Sequence, residues 1–132
     1  MSGSAVVVCG LQWGDEGKGK IVDKLARNAH AVVRFNGGNN AGHTLVVGDK
    51  KYVTHTLPSG IVRADQNNLV GPGVVCDLDV ITEELQIALK HDARVFLDRS
   101  APVILPIHIA IDKGRELAAG KRKIGTTNRG IG

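Results

Sequence analysis

Apolar positions along the chain fall into short runs separated by glycine-rich turns, and the runs alternate between a strand period and a helix period. Residues 5–9 (AVVVC) are continuously apolar and rich in β-branched side chains, the pattern of a central strand buried on both faces. Residues 17–28 have helical spacing, with Ile21, Leu25 and Val22 on the inner face. Residues 31–35 (AVVRF) read as a second buried strand. Residues 45–47 and 52–55 flank the turn Gly48-Asp49-Lys50-Lys51, which predicts a β-hairpin. Residues 69–70 and 74–75 read as separate strand pieces around Gly71-Pro72-Gly73. Residues 77–91 predict a helix capped by Asp77 or Asp79, with Leu78, Ile81, Leu85 and Leu89 as its apolar stripe. Residues 95–97 are a further strand, and residues 107–119 a third helix, with Pro106 near its start and Gly120 after its end. Strands alternating with helices imply an α/β fold, a mainly parallel sheet flanked by helices.

The connections carry the chemistry. After the first apolar run comes GLQWGDEGKGKI, residues 10–21. Strand, glycine-rich loop and helix in that order make a phosphate-binding βα unit of P-loop type. Small residues let backbone N–H groups approach an anion, and the helix start adds unpaired N–H groups and the positive end of its dipole. Gly14, Gly19 and Lys20 satisfy GxxxxGK, but Ile21 stands where Ser or Thr normally holds magnesium. A metal here needs another oxygen, and Asp15 is the candidate. A carboxylate in a phosphate loop repels the ligand unless it carries a metal or a proton. Lys18 and Lys20 are placed to meet phosphate as point charges. Glu16 either contacts the ligand or caps the helix, where the dipole favours acids.

Two more glycine-rich segments follow. GGNNAGHT, residues 37–44, offers two amides, the His43 imidazole and the Thr44 hydroxyl on an uncluttered backbone. GTTNRGIG is residues 125–132. One such segment alone is usually a turn. Three in a chain of this size indicate a site that grips a polyanion and acts on it. Of the other histidines, His30 and His91 follow helices, and His55 and His108 sit in apolar patterns as structural residues.

Composition narrows the class. The chain of 132 residues fits one domain. Phe35, Phe96, Trp13 and Tyr52 are its only aromatic residues, too few for a base-stacking nucleic-acid platform. The net charge of +4 is modest, and the late basic residues Lys113, Arg115, Lys121, Arg122, Lys123 and Arg129 read as a solvated helix end. Cys9 and Cys76 make no metal or disulfide motif, so both are expected as buried free thiols. No secretory leader and no run of membrane-spanning length is visible, which makes the cytoplasm the default expectation.

In order along the chain, QWGDEGKGK, GGNNAGHT, LPSGI, GVV and IGTTNRGIG resemble the amino-terminal part of adenylosuccinate synthetase, over residues 6–132. Members of that family are longer, so residues 1–132 are expected to be the amino-terminal, truncated part of the catalytic domain, roughly its first third. The resemblance implies ligation of IMP and L-aspartate at the expense of GTP, giving adenylosuccinate, GDP and phosphate, with Mg2+ bound. Asp15 matches the base that deprotonates a purine ring nitrogen and touches magnesium. His43 matches an acid that stabilises the transferring phosphoryl group, assisted by Lys18. Gly14, Asp15, Glu16, Gly17, Lys18, Gly19, Lys20, Gly42, His43 and Thr44 match nucleotide-binding positions. The Gly42 carbonyl joins the metal shell, and Asn40, Ala41 and Thr127 match residues that hold IMP. Guanine and aspartate recognition, and an arginine lent by the second subunit of a homodimer, belong to later parts of the family's chain. The expectation is therefore an enzyme active site in part. The alternative is a phosphate- or IMP-binding fragment without turnover. An ordinary P-loop GTPase is disfavoured by Ile21, and partners that are nucleic acid or membrane are not expected.

Overall fold

The structure is a computed structural model that describes residues 3–12 and 16–131. Its centre is a three-stranded parallel sheet in the order β1 (Ala31–Gly37), β4 (Asn67–Val74), β6 (Arg94–Leu97). Helix α1 (Lys18–Ala26) precedes β1, and α2 (Leu78–Lys90) crosses from β4 to β6. The parallel, helix-flanked α/β arrangement expected from the sequence is thus present. An antiparallel hairpin, β2 (His43–Val47) with β3 (Lys50–Thr54), lies between β1 and β4 in the chain. A short parallel pair, β5 (Cys76–Asp77) with β7 (Val103–Ile104), leads to α3 (Pro106–Ala119). The hairpin turn is tighter than expected. Val47 pairs with Lys50, leaving a two-residue loop in which Gly48 takes a φ of 58°.

β4 does not break at Gly71-Pro72-Gly73 as its sequence suggests; it runs through them. The reason is a register shift. Arg34 pairs with Val70 but Asn36 with Gly73, so β4 carries one extra residue there. Pairing with β6 ends at Val70 and Leu97, so Pro72 falls where a missing N–H costs no ladder bond. Gly73 is needed for a different reason: a Cβ on it would lie 2.4 Å from the Phe35 carbonyl oxygen. Gly73→Ala is therefore expected to destabilise the fold by about 1–3 kcal/mol, the usual cost of overpacking. A shift in the denaturant midpoint at constant slope checks it.

The core lies between β4, α2 and a buried 3₁₀ turn, Ser59–Val62. Leu57, Ile61 and Val62 from the turn region pack with Leu45, Val70, Val74, Cys76, Ile81 and Ala88. Asp77 caps α2, its Oδ1 accepting from the backbone N–H of Asp79 at 3.1 Å and of Val80 at 3.4 Å. That resolves the choice between the two candidate caps.

Burial departs from the sequence pattern in four places. Residues 5–9 form no strand, and Val6 and Val7 are 73% and 69% exposed. An apolar run becomes a central strand only when strands flank it, and among the described residues none pairs with it. β1 is a strand, but only Val32 is buried; Val33 and Phe35 face solvent. On α1 the inner residue is Ala26 with Val22 half-buried, while Ile21 and Leu25 are exposed, because the helix packs on the 3₁₀ turn and β2. On α2 the buried face is Ile81, Glu84 and Ala88; Leu78 and Leu89 are exposed. Cys76 is buried as expected, but Cys9, on the unpaired segment, is exposed.

Candidate functional site

The start of α1, the segment 38–42 and the end of β3 converge on a cavity of about 510 Å³. Its first wall is the phosphate-loop candidate. Gly17 has φ 80° and ψ 21°, a left-handed conformation that glycine adopts without penalty. Lys18, Gly19 and Lys20 then form the first turn of α1, so this part of the motif is helix, not loop, and among the described residues no strand precedes it. Gly14 and Asp15 lie outside the described residues. The first turn carries no side-chain cap; the Lys20 N–H donates to the Gly17 carbonyl at 3.0 Å, while the Lys18 and Gly19 N–H groups have no partner among the described residues and can meet an anion at the cavity wall.

Lys18 Nζ lies 2.5 Å from Glu16 Oε2. Glu16 also accepts from the Gln12 N–H at 3.3 Å. The hydrogen bond from Lys18, ahead of its own backbone N–H, holds the Glu16 carboxyl down at about 2. Glu16 is therefore an anion that preorganises Lys18 rather than a helix cap. An incoming phosphate has to compete with it for the ammonium.

The opposite wall is the segment 38–42 and His43, the first residue of β2. The His43 ring packs against the first turn of α1: a Cβ on Gly19 would lie 2.8 Å from its Cδ2. Gly19 is thus required for the contact between helix start and imidazole. Burial, reinforced by the charges of Arg34, His55 and Lys18, pushes the His43 imidazolium below its ordinary 6.5. In the ligand-free site His43 is poised as a neutral imidazole that a polyanion would recharge.

Arg34 ties the segment down. It donates to the His55 carbonyl, to the Gly38 carbonyl at 2.7 Å and to the Asn36 carbonyl at 3.4 Å. Asn39, 1% exposed, donates from Nδ2 to Asp77 Oδ2 at 2.9 Å, joining the segment to the cap of α2. His55 Nδ1 lies 3.2 Å from the Ala41 carbonyl oxygen, and its ring covers Gly42.

The third glycine-rich loop is held from α3. Buried Asp112 accepts from Thr126 Oγ1 and from the Gly130 N–H, each at 3.0 Å. Glu116 accepts from the N–H groups of Ile124 at 3.2 Å and Gly125 at 3.1 Å. Gly38 meets the Ile131 side chain, so the loop's end touches the second loop.

Glu16, Gly17, Lys18, Gly19, Asn40, Ala41, Gly42 and His43 therefore come together on one cavity. Lys20, Thr44 and Thr127 do not line it and are exposed. Thr44 alternates outward from His43 and Leu45 along β2, and Lys20 is on the solvent side of α1. The family model described as adenylosuccinate synthetase matches residues 7–132. The chain belongs to the adenylosuccinate synthetase family.

Curated relatives named adenylosuccinate synthetase are 52% identical in Alcanivorax borkumensis, over 98% of this chain, and 55% identical in Anaeromyxobacter sp. strain K, over 96%. The chain spans about 31% of the length of each. A fully ligated adenylosuccinate synthetase from Plasmodium falciparum superposes with a TM-score of 0.82 at 42% identity, covering 91% of this chain and 29% of that one. The succinoaminodeoxyadenylate synthetase of cyanophage S-2L, solved with dGMP and dATP, superposes at 0.68 with 28% identity, covering 87% and 37%.

Against that family background, three residues stand out that the sequence pattern did not mark. Arg34 interrupts an apolar run, a signal in principle. Glu84 and Asp112 occupy inward helix positions, visible only once the helices are placed.

Proposed function

We propose that the chain carries the phosphoryl-transfer half of an adenylosuccinate synthetase active site, for GTP-dependent ligation of IMP and L-aspartate. The observation that carries this is the cavity where Lys18 and the open start of α1 face His43 and the segment 38–42. Phosphoryl transfer is mostly positioning and electrostatic stabilisation, and these groups supply both. Lys18 and the α1 N–H groups bind the phosphates. His43 neutralises charge on the transferring group. Asn40, Ala41 and Thr127 are assigned to IMP. Of these, Thr127 rests on sequence alone, since it stands away from the cavity.

Asp15 is assigned as the base that takes the purine ring proton. The resulting oxyanion attacks the terminal phosphate, GDP leaves, and the aspartate amine displaces the phosphoryl group as inorganic phosphate. Among the described residues no three His, Cys, Asp or Glu side chains form a metal cage. Magnesium fits this setting because it binds through one or two protein oxygens together with substrate phosphates. The Asp15 carboxylate and Gly42 carbonyl would hold it. When bound it neutralises charge on the phosphate oxygens.

No helix among the described residues is long and apolar enough to cross a membrane. A cytoplasmic homodimer is the assembly this function implies. The same chain by itself is assigned anion and IMP binding without turnover, since it spans under a third of its relatives' length.

The test is a spectrophotometric assay with IMP, GTP, magnesium and aspartate on two polypeptides, this chain and one of family length that carries it. Adenylosuccinate from the long chain alone is the expected result, with weak IMP binding by the short one in calorimetry. No ligation by the long chain removes the assignment. Comparable turnover by the short one shows that the site is complete within it.

A further inference from the structure

Glu84 is 3% exposed, and among the described residues it forms no ion pair. A buried carboxylate without a cation needs other donors. Here they are three consecutive backbone N–H groups. Oε1 accepts from His55 and, at 3.1 Å, from Thr56; Oε2 accepts from Thr56 at 3.2 Å and from Leu57 at 2.6 Å. Successive N–H groups around one anion form a nest, and hydrogen bonds to an ionised acceptor are the strong kind.

The cradled segment is the one that grips the site. The His55 carbonyl receives Arg34, which also holds Gly38, and the His55 ring meets Ala41 and Gly42. Thr54, the residue before it, pairs with His43 across the hairpin. Leu57, the last cradled residue, and Pro58 and Ser59 after it line the cavity, whereas Glu84 does not. The chain of contacts therefore runs from α2 through the backbone of residues 55–57 to both ends of the segment 38–42.

We propose that Glu84 is a positioning residue. Through the backbone of residues 55–57 it fixes segment 38–42 and His43 against the first turn of α1, in the site assigned above to phosphoryl transfer. The proposal rests on that assignment for its catalytic consequence. A glutamine at 84 keeps the shape but has one acceptor oxygen and an NH2 group. At least one of the three N–H groups then faces a donor, and the cradle shifts. A displacement of this kind at a reacting centre is expensive in rate.

The experiment uses a synthetase of family length carrying this segment, with Glu84→Gln and Glu84→Asp variants. Glu84→Gln is expected to lower kcat about 10–100-fold while KM for GTP and IMP changes by less than about threefold. Glu84→Asp, which retains the carboxylate, should recover part of that loss. Amide exchange in residues 38–43 should quicken in Glu84→Gln and less in Glu84→Asp. Wild-type kcat in Glu84→Gln, with only a lowered Tm, overturns the proposal. If Glu84→Gln does not fold, His55→Ala leaves the cradle backbone in place and removes its contact with Ala41. A similar fall in kcat supports the proposal and an unchanged kcat overturns it. Absence of ligation by the parent enzyme is a failure of the functional assignment. The exchange measurement still decides the positioning role, since an unaltered rate in residues 38–43 overturns it.

Discussion

Asp15→Asn, in a synthetase of family length carrying this segment, is expected to lose turnover by about 10²–10⁴-fold, about 2.7–5.4 kcal/mol of barrier. Nucleotide binding should largely persist. The side chain changes little in size but loses its charge and its ability to take a proton. A carboxylate placed among phosphate-binding groups raises repulsion unless it does something for it. The neighbouring acid already has an occupation, since Glu16 is paired to Lys18 at 2.5 Å and held near a pKa of about 2. A group held that low is a poor proton acceptor at neutral pH, so the base role is proposed for Asp15 and not for Glu16. Single-turnover kinetics with GTP and IMP, beside calorimetric titration of each, separate the two effects. Turnover near the wild-type rate removes Asp15 from the mechanism. A loss confined to nucleotide affinity makes it a metal- or phosphate-organising residue only.

Much of the site was legible because glycine and charge mark it directly. GGNNAGHT and DEGKGK stand out as sequence, and the structure puts Glu16 to Gly19 and Asn40 to His43 on one cavity. The helices and the parallel character of the central sheet followed from alternating periods, whereas the order β1, β4, β6 did not. What was not legible depends on which faces meet. Ile21 and Leu25 have the spacing of an inner face, yet α1 rests on the 3₁₀ turn and β2, which turns them outward. Residues 5–9 have the composition of a central strand, but composition does not supply the neighbours that make one. Glu84 reads as a surface acid in TEEL, although it lies three residues from Ile81 and therefore on the same face. Its role came from the N–H groups it meets, which no local pattern announces.

His43→Asn should reduce kcat by about 10²-fold or more, with smaller changes in KM, and should also remove a feature of the pH profile. Burial first, and then Arg34, His55 and Lys18, hold the free imidazole below 6.5, while Glu84 alone among the named charges pushes the other way. The sign follows from which state binds the proton. Without ligand, His43 is mostly neutral at pH 7 and is protonated only as pH falls below 6.5. Between that lowered value and 6.5 the unfolded chain binds more protons, so the residue favours folding least in acid and most above 6.5. Triphosphate entering beside Lys18 reverses the local field and raises the pKa, so binding near neutrality takes up a proton. The expected kcat/KM profile therefore falls with rising pH from a point below 6.5, whereas kcat stays level to a higher pH. Calorimetry of GTP and IMP in buffers of different ionisation enthalpy measures the uptake directly. His43→Asn should abolish both the uptake and the separation of the two limbs. If the variant keeps them, another group carries the proton, and His43 holds substrate without supplying charge to the transferring phosphoryl group.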